Sequence, residues 1–368
     1  MSEPFEQKDY GEYFKYLEEQ LNNPPKKPQN IPEPQESPSE TKTQTAKIKI
    51  RKPVVIVAVV LIVAIILGIV LFSGDKDEEK PIEEVVNSTP TVSDIEPEEE
   101  VLFPLEGDIP DVLQTNDAPC AIVINRTQNK VIATRNPHTK AYPASTLKVM
   151  SLLVAVENIT SLEDTFTMTY EITDPLYLAG ATITGFLSGE TVPIKDMLYG
   201  IILPSGGDAA VGMAVKIAGS EKAFVEMMNQ KAKELGMQNT HYANATGLHD
   251  EGNYTSAYDM ALLLNAAMKN ELCREILSTP KYTTTFTDKH PEGILFESTM
   301  FSHMKGTEPE TATIAGGKTG YISMSKYCLA SFGVSNQSGD EYIVVTLGNS
   351  SLWPAIKGQI ALYKEYAK

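Results

Sequence analysis

The feature that most restricts the fold is an uncharged apolar run from Pro53 to Phe72, which reads PVVIVAVVLIVAIILGIVLF. A helix needs about 20 apolar residues to cross the hydrocarbon core of a bilayer, and this run has that length. Four basic residues lie between 47 and 52, whereas four acidic residues lie between 75 and 79. Because basic flanks stay in the cytoplasm, the run predicts a transmembrane helix at 53–72, a cytoplasmic N-terminus and an extracellular remainder of the chain.

A cleaved signal peptide is the competing interpretation of the same run. Its leader would be short, and small residues would mark a cleavage site after its apolar core. Here about fifty residues precede the run, and the segment LFSGDK that ends it has no such pattern. The chain is therefore predicted to be an uncleaved, single-pass protein of the cell membrane.

The polar segments on either side of the run differ in kind. Residues 1–52 are predicted to be a largely disordered cytoplasmic tail, with a short amphipathic helix at 8–22 that would suit a cytoplasmic partner. Residues 73–110 carry thirteen Asp and Glu against two Lys, a net charge of −11. A charge run of this kind is typical of a solvated spacer, so 73–110 are predicted to be an acidic extracellular linker.

Charge and cysteine content exclude several functions. The formal net charge is −17, and because nucleic-acid binding needs a basic patch, no nucleic-acid partner is expected. The three cysteines, Cys120, Cys273 and Cys328, form no C-x-x-C pair, so they are interpreted as small buried residues rather than zinc ligands. One bridge between two of them stays open. No metal or other cofactor is expected.

Residues 111–368 have the composition of a folded domain and open with a predicted β-hairpin, CAIVINR and KVIATRN around a polar turn at 127–129. YPASTLK follows at 142–148, and the apolar run behind it predicts a buried helix. Positions i and i+3 of a helix share one face, so Lys148 would reach the hydroxyl of Ser145. A serine hydroxyl needs a base, and a buried lysine becomes one when its amine is neutral.

Two further motifs give weight to the Ser145–Lys148 pair, because S-x-x-K alone also occurs by chance at 323–326. SGGD stands at 205–208, between an apolar run and a predicted helix. KTG stands at 318–320, just before a predicted strand. S-x-x-K, a second serine motif and K-T-G are together typical of serine β-lactamases and penicillin-binding proteins.

The region 120–368 resembles the low-molecular-weight penicillin-binding proteins that act as D-alanyl-D-alanine carboxypeptidases. The spacing of the motifs agrees with that family, since Ser205 follows Ser145 by 60 residues and Lys318 follows Ser205 by 113. The segments NATGL and GGKTGY are similar as well. The resemblance implies an α+β fold, in which a five-stranded antiparallel sheet formed from both ends of the domain is flanked by helices and joined to a mostly helical subdomain.

The resemblance also implies catalytic roles. Ser145 would be the nucleophile that is acylated, Lys148 the general base, and Ser205 a relay that carries a proton toward the leaving D-alanine. The implied substrates are the D-alanyl-D-alanine ends of peptidoglycan stem peptides outside the cell. β-Lactams would act as inhibitors that acylate Ser145 and leave slowly.

The resemblance also implies that the third motif, KTG, binds the substrate. Lys318 and Thr319 would bind the terminal carboxylate of the substrate, where a cation and a hydroxyl both help. Gly320 completes the motif. The backbone N–H groups of Tyr321 and Ser145 would form the oxyanion hole.

Two other patterns receive structural interpretations. His249 beside Asp250 would suit a metal site or a catalytic triad, but neither H-E-x-x-H nor G-x-S-x-G occurs, so His249 is interpreted as a loop residue. Helical spacing near the C-terminus predicts a final helix that packs on the sheet through four core residues: Trp353, Ile356, Ile360 and Tyr363.

One position departs from the family pattern. Gly207 stands where the second motif usually has Asn, whose amide helps to hold the substrate and the catalytic lysine. Losing one positioned hydrogen bond typically costs about 10- to 1,000-fold in rate. A catalytically weak protein that senses peptidoglycan or β-lactams is therefore one alternative. A serine β-lactamase is the other, although no matching Glu motif for fast deacylation lies between Ser145 and Ser205.

Overall fold

A five-stranded antiparallel sheet built from both ends of the domain forms the centre of the fold, as predicted. The structure, a computed structural model, describes residues 102–112, 114, 116–304, 307 and 309–368. The five strands are β1 (Cys120–Asn125), β2 (Lys130–Arg135), β7 (Ala312–Ile322), β8 (Lys326–Ser335) and β9 (Glu341–Asn349). Their order in the sheet is β2-β1-β9-β8-β7, which leaves β7 at one edge.

The predicted hairpin of β1 and β2 is confirmed, and its alternating residues serve two separate cores. Because successive side chains of a strand point to opposite faces, Ile122 and Ile124 enter one hydrophobic cluster while Ala121 and Val123 enter another. The first cluster fills the space between the sheet and the helical part of the domain. The second lies under the C-terminal helix.

Helices make up most of the chain between β2 and β7, which agrees with the predicted helical subdomain. The described helices are α1 (Lys148–Asn158), α2 (Tyr170–Leu178), α3 (Ile194–Ile202), α4 (Gly207–Ala218), α5 (Glu221–Glu234), α6 (Ala257–Lys269), α7 (Glu271–Ser278), α8 (Thr299–Met304) and α9 (Leu352–Tyr366). Helix α1 is apolar on nearly every side and is buried along most of its length. It therefore forms the centre of the helical part, next to the sheet.

Two short antiparallel ribbons were not predicted. They pair β3 (Thr165–Thr167) with β4 (Thr191–Pro193), and β5 (Lys281–Thr283) with β6 (Leu295–Glu297). A buried carboxylate holds the second ribbon on α3, because Asp196 accepts hydrogen bonds from the Tyr282 hydroxyl at 2.5 Å and the Thr285 N–H at 2.8 Å. Three-residue strands carry too little periodicity to be recognised in a sequence.

The C-terminal helix is present, but one of its four predicted core residues is not in the core. Ile356 and Tyr363 are fully buried against the sheet, whereas the side chain of Trp353 is 54% exposed. Trp353 lies in the first turn of α9, where the neighbouring Leu352 makes the contact with the cluster. The prediction that Trp353 is a core residue is wrong for this reason.

The described chain makes contact with the core ahead of Asp111, the predicted start of the catalytic domain. Phe103 is 1% exposed, and its N–H donates a hydrogen bond to Asn129 Oδ1 at 2.8 Å. The carbonyl of Leu102 accepts a hydrogen bond from the Tyr258 hydroxyl at 2.7 Å. The last part of the acidic segment therefore lies against the domain.

The predicted tail, the membrane span at 53–72 and residues 73–101 of the predicted linker lie outside the described residues. Within the described part of the chain, no helix is both long and apolar enough to cross a membrane. All three cysteines are buried with free thiols, in agreement with their interpretation as small core residues.

Candidate active site

Ser145 lies in a short 3₁₀ turn, Ala144–Leu147, that leads directly into α1. The turn begins with Ala144 in the left-handed region at φ +47°. Lys148, the first residue of α1, directs its side chain back over the turn, so that Nζ lies 3.2 Å from Ser145 Oγ. The i, i+3 spacing thus places the two groups within hydrogen-bonding distance.

Two glycines allow the backbone on either side of the turn to approach it closely. A Cβ at Gly320 on β7 would lie 2.9 Å from the backbone nitrogens of Ser145 and Thr146. A Cβ at Gly247, which has φ +78°, would lie only 2.1 Å from the carbonyl oxygen of Ala144. Real Cβ atoms do not approach this closely, so the edge strand and the loop around Gly247 can hold the turn between them only because both positions are glycine.

Lys148 is buried and is held in place by a backbone carbonyl. Its side chain is 3% exposed, and Nζ donates a hydrogen bond to the carbonyl of Thr246 at 2.5 Å. Burial disfavours the charged amine and lowers the pKa of Lys148 to about 7, although the negative charge of Asp208 acts in the opposite direction. A substantial fraction of Lys148 is therefore neutral near pH 7 and has a lone pair that can accept the proton of Ser145.

Lys318 is a second buried lysine, on β7. Its Nζ donates to the carbonyl of Thr319 at 2.9 Å, and its side chain is 1% exposed. Burial lowers the pKa of Lys318 well below its usual range, and the like charge of Lys148 acts in the same direction. Beside it, the hydroxyls of Thr319 and Thr299 lie 2.6 Å apart.

Tyr321 lies at the mouth of the site. Its side chain is half exposed, and its ring packs on that of Tyr327 with the centroids 4.4 Å apart. A narrow cavity of about 70 Å³ beneath it reaches Ser145 and Lys148. A wider groove of about 560 Å³ continues outward past Leu248 and Met324.

Ser205 is held in a strained backbone conformation. Its φ is +67°, in the left-handed region that residues other than glycine seldom adopt. Its Oγ is buried and has no hydrogen-bond partner among the described residues. Buried hydroxyls are nearly always paired, and strain of this kind is concentrated at functional sites. The unpaired hydroxyl and the strained backbone both mark Ser205 as a candidate functional residue.

Gly207 and Asp208 begin helix α4 at the edge of the cavity. The carboxylate of Asp208 accepts hydrogen bonds from the Thr184 N–H at 2.9 Å, the Thr184 hydroxyl at 2.6 Å and the Ala209 N–H at 2.9 Å. These bonds fix Asp208 on Thr184, so its side chain does not replace the missing amide. A Cβ at Gly207 would lie 3.3 Å from the Thr182 carbonyl oxygen and 3.6 Å from Thr246.

The structure brings in one group that the sequence did not predict, the carbonyl of Thr246 on Lys148. It belongs to the loop containing NATGL, which the sequence identifies only as a segment similar to the family. Asn244 in this loop accepts three hydrogen bonds from the residues that follow it. His249 lies in the same loop, and its ring is edge-on to Tyr142 with the centroids 5.2 Å apart.

None of the described residues forms a cluster of His, Cys, Asp or Glu suited to a metal ion. The cleft contains a serine, a buried lysine amine whose pKa is about 7, and a second buried lysine on the edge strand of an antiparallel sheet. This combination defines the class of serine enzymes that includes penicillin-binding proteins and serine β-lactamases. The chain belongs to the D-alanyl-D-alanine carboxypeptidase family, whose sequence model matches residues 110–351.

Relatives by sequence carry the same description. The D-alanyl-D-alanine carboxypeptidase DacF of Bacillus subtilis is 34% identical over 220 residues, which are 58% of this chain and 53% of that protein. DacD of Escherichia coli is 29% identical over 239 residues, 62% of this chain and 58% of that protein. The chain therefore spans a little over half the length of these relatives.

Solved structures share the fold. The DD-transpeptidase of Streptomyces K15 matches with a TM-score of 0.62 and 25% sequence identity, over 71% of this chain and 99% of that protein. DacD of Francisella tularensis matches with a TM-score of 0.58 and 24% identity, over 70% of this chain and 72% of that protein.

Proposed function

We propose that this protein is a serine D-alanyl-D-alanine carboxypeptidase that removes the terminal D-alanine from peptidoglycan stem peptides. The observation that carries the proposal is the 3.2 Å approach of a buried lysine amine to the Ser145 hydroxyl. Lys318 and Thr319 on the adjacent edge strand are suited to the carboxylate that such a substrate presents.

Acylation follows from the positions of these groups. Neutral Lys148 takes the proton of Ser145 as Oγ attacks the carbonyl carbon of the penultimate D-alanine. The backbone N–H groups of Ser145 and Tyr321 stabilise the resulting oxyanion. The proton then passes from Lys148 through Ser205 to the amine of the terminal D-alanine as the peptide bond breaks. One free D-alanine leaves, and the remaining peptide stays as an ester on Ser145.

Deacylation reverses the proton flow. A water molecule gives a proton to Lys148 and attacks the ester carbonyl, and Ser145 recovers its hydroxyl proton as the shortened peptide departs. A β-lactam opens its ring on Ser145 and, because the amine it releases stays tethered in the acyl group, leaves the enzyme slowly.

The test is incubation of the full-length protein with a pentapeptide that ends in D-Ala-D-Ala, with release of free D-alanine measured. Ser145→Ala should abolish both this release and labelling by a fluorescent penicillin, while circular dichroism shows that the fold is retained. Labelling of a folded Ser145→Ala protein would exclude Ser145 as the nucleophile. A parallel reaction with a cross-linked dimer tests for endopeptidase activity, which a relative of Pseudomonas aeruginosa carries in its name.

A sensing role is the second candidate, and Gly207 is the observation that favours it. Without the amide that the family usually places there, acylation would be slow, and the protein would be a poor carboxypeptidase. Stoichiometric labelling by penicillin with no release of D-alanine would support this role over the carboxypeptidase. Steady turnover of a chromogenic β-lactam would instead identify a β-lactamase.

We further propose that the catalytic domain is extracellular and anchored through residues 53–72, with a cytoplasmic tail available to a partner. Support comes from the charges around the apolar run, because basic residues precede it and acidic residues follow it. Protease added to intact cells should remove the catalytic domain and spare the tail. Protection of the catalytic domain would reverse this orientation.

A further inference from the structure

The loop at 243–253 contacts both members of the Ser145–Lys148 pair through its backbone. The carbonyl of Thr246 accepts the hydrogen bond from Lys148 Nζ. The next residue, Gly247, packs on the backbone of Ala144 and Ser145. Any shift of these two loop residues would therefore displace the base and the nucleophile together.

A single side chain organises this part of the loop. Asn244 Oδ1 accepts hydrogen bonds from the Thr246 N–H at 3.2 Å, the Thr246 hydroxyl at 3.1 Å and the Gly247 N–H at 2.8 Å. Its Nδ2 donates to the carbonyl of Leu248 at 3.2 Å. Side chains of Asn readily stabilise turns in this way, by bonding to backbone groups two or three residues ahead.

We propose that Asn244 is a positioning residue for the acylation step: its side-chain oxygen holds the Thr246 carbonyl against the Lys148 amine and Gly247 against the serine turn. The inference rests on the proposed function, because it assumes that Lys148 acts as the base for Ser145. A neutral amine has two N–H groups and one lone pair. With one N–H directed at Thr246, the lone pair can face Ser145 Oγ and accept its proton.

The pKa of Lys148 depends on the charges and dipoles around its amine, so a change in this pKa would show that the Thr246 carbonyl has moved. Burial lowers the pKa of Lys148, and the negative charge of Asp208, on α4, acts in the opposite direction. Lys318, on β7, lies close enough for the two like charges to affect each other. The Thr246 carbonyl adds a dipole whose negative end faces the amine and favours its charged form. Displacement of this carbonyl should therefore lower the pKa of Lys148.

Asn253 provides a matched control in the same loop. It is 2% exposed, accepts a hydrogen bond from the Ala243 N–H at 2.8 Å and donates one to the Leu248 carbonyl at 3.0 Å. Its hydrogen bonds hold other parts of the loop and involve neither Thr246 nor Gly247. Asn253→Ala should weaken the loop without changing the position of the base.

The experiment measures the second-order rate constant for acylation of the full-length protein by a fluorescent penicillin, as a function of pH, together with Tm. Asn244→Ala should lower the plateau rate by about 100-fold, the effect of a misplacement of about 1 Å. It should also move the acid limb of the pH–rate curve, where the rate falls as the pH is lowered, to lower pH. Asn253→Ala should lower Tm but keep the plateau within about threefold, with the limb unmoved.

Asn244→Asp keeps the acceptor oxygen and adds a negative charge near Lys148. The Leu248 carbonyl keeps its bond from Asn253. This variant should hold the plateau within about tenfold of the wild type and move the limb to higher pH, opposite to Asn244→Ala. Asn244→Asp retains the three hydrogen bonds that Oδ1 accepts and loses only the one that Nδ2 donates. It therefore decides the question if Asn244→Ala does not fold: a plateau that falls by about 100-fold in a folded Asn244→Asp protein overturns the proposal.

The possible failures are distinct. A wild type that is not labelled would overturn the proposed function and this inference with it. If the wild type is labelled but Asn244→Ala and Asn253→Ala have the same plateau rate and the same midpoint pH, only the inference is overturned. Asn244 would then be an ordinary stabilising residue of the loop.

Discussion

The helical side of the cleft and its sheet side each contribute one buried lysine, and the two differ in the charges around them. Lys148 on α1 and Lys318 on β7 are both almost fully buried, and burial lowers the pKa of each. Asp208 partly offsets this effect at Lys148, whose pKa remains about 7. Lys318 has the like charge of Lys148 as its neighbour instead.

This difference matches two kinds of chemistry. A general base works best when its pKa lies near the working pH, as the balance at Lys148 provides. An anion-binding lysine gains most when its counter-charge arrives with the ligand, because a buried cation without a partner is costly. Under the proposed function, the substrate carboxylate would supply the missing charge on the sheet side.

Exchange of each lysine for arginine is the strongest test of this contrast. A guanidinium does not lose its proton in proteins, so Lys148→Arg should lower the acylation rate by about 1,000-fold. Lys318→Arg keeps a cation for the carboxylate and should stay within about tenfold of the wild type. Acylation by a fluorescent penicillin measures both. Equal losses in two folded variants would show that the lysines do not have separate roles.

Removal of the charge of Lys318 tests whether this residue binds the C-terminal carboxylate of the substrate. Lys318→Met should lower the hydrolysis of a D-Ala-D-Ala peptide by about 10- to 100-fold, the loss of one charge-assisted hydrogen bond. The same peptide with a C-terminal carboxamide should respond far less to the substitution. An equal response of both peptides would show that Lys318 does not bind the carboxylate.

The pH dependence of acylation tests the helical side. Because Lys148 must be neutral and its pKa is about 7, the rate should rise with pH, reach half its plateau near that value and fall about tenfold for each pH unit below it. The residual rate of Lys148→Arg should lack this limb. A limb that persists in Lys148→Arg would assign the titration to another group.

Gly207→Asn sharpens the comparison on the helical side. Gly207 has no left-handed backbone, and its Cβ would need the Thr182 carbonyl to move by only a few tenths of an ångström. The new amide should reach the cavity and raise acylation by about tenfold, the value of one preorganised hydrogen bond. Gly207→Ala, which adds the Cβ without the amide, is the control. A decrease in the folded Asn variant would mean that the pocket is adapted to glycine.

The smallest effect concerns stability. The pKa of Lys148 is about 7 in the folded protein, and an unfolded lysine titrates near about 10.4, so the unfolded state binds more protons between these values. Stability should therefore rise with pH across this window. Lys148→Met should raise Tm at pH 7 and flatten this dependence. A lower Tm at pH 7 would indicate that the buried amine is a net stabilising group.

Much of the fold was predictable because its signals are local. The β1–β2 hairpin, the helix after Ser145 and the strand that follows KTG each have the periodicity of their own segment. The Ser145–Lys148 pairing is local as well, because three residues of helical turn bring the two side chains together. The burial of Trp353 is predicted from the same periodicity and is wrong, because Leu352 and not Trp353 contacts the core in the first turn of α9.

The sequence by itself determined the family and the three motifs, and it predicts the groups that carry the chemistry, since each motif lies within a few neighbouring residues. Only the tertiary structure decided how Lys148 is held and charged. The Thr246 carbonyl is 98 residues away along the chain, and a backbone carbonyl has no signature in a sequence. The pKa of Lys148 depends on the burial produced by packed helices and on Asp208, whose direction is set by Thr184. Burial and long-range charge are sums over the whole fold, so no single segment of sequence contains them.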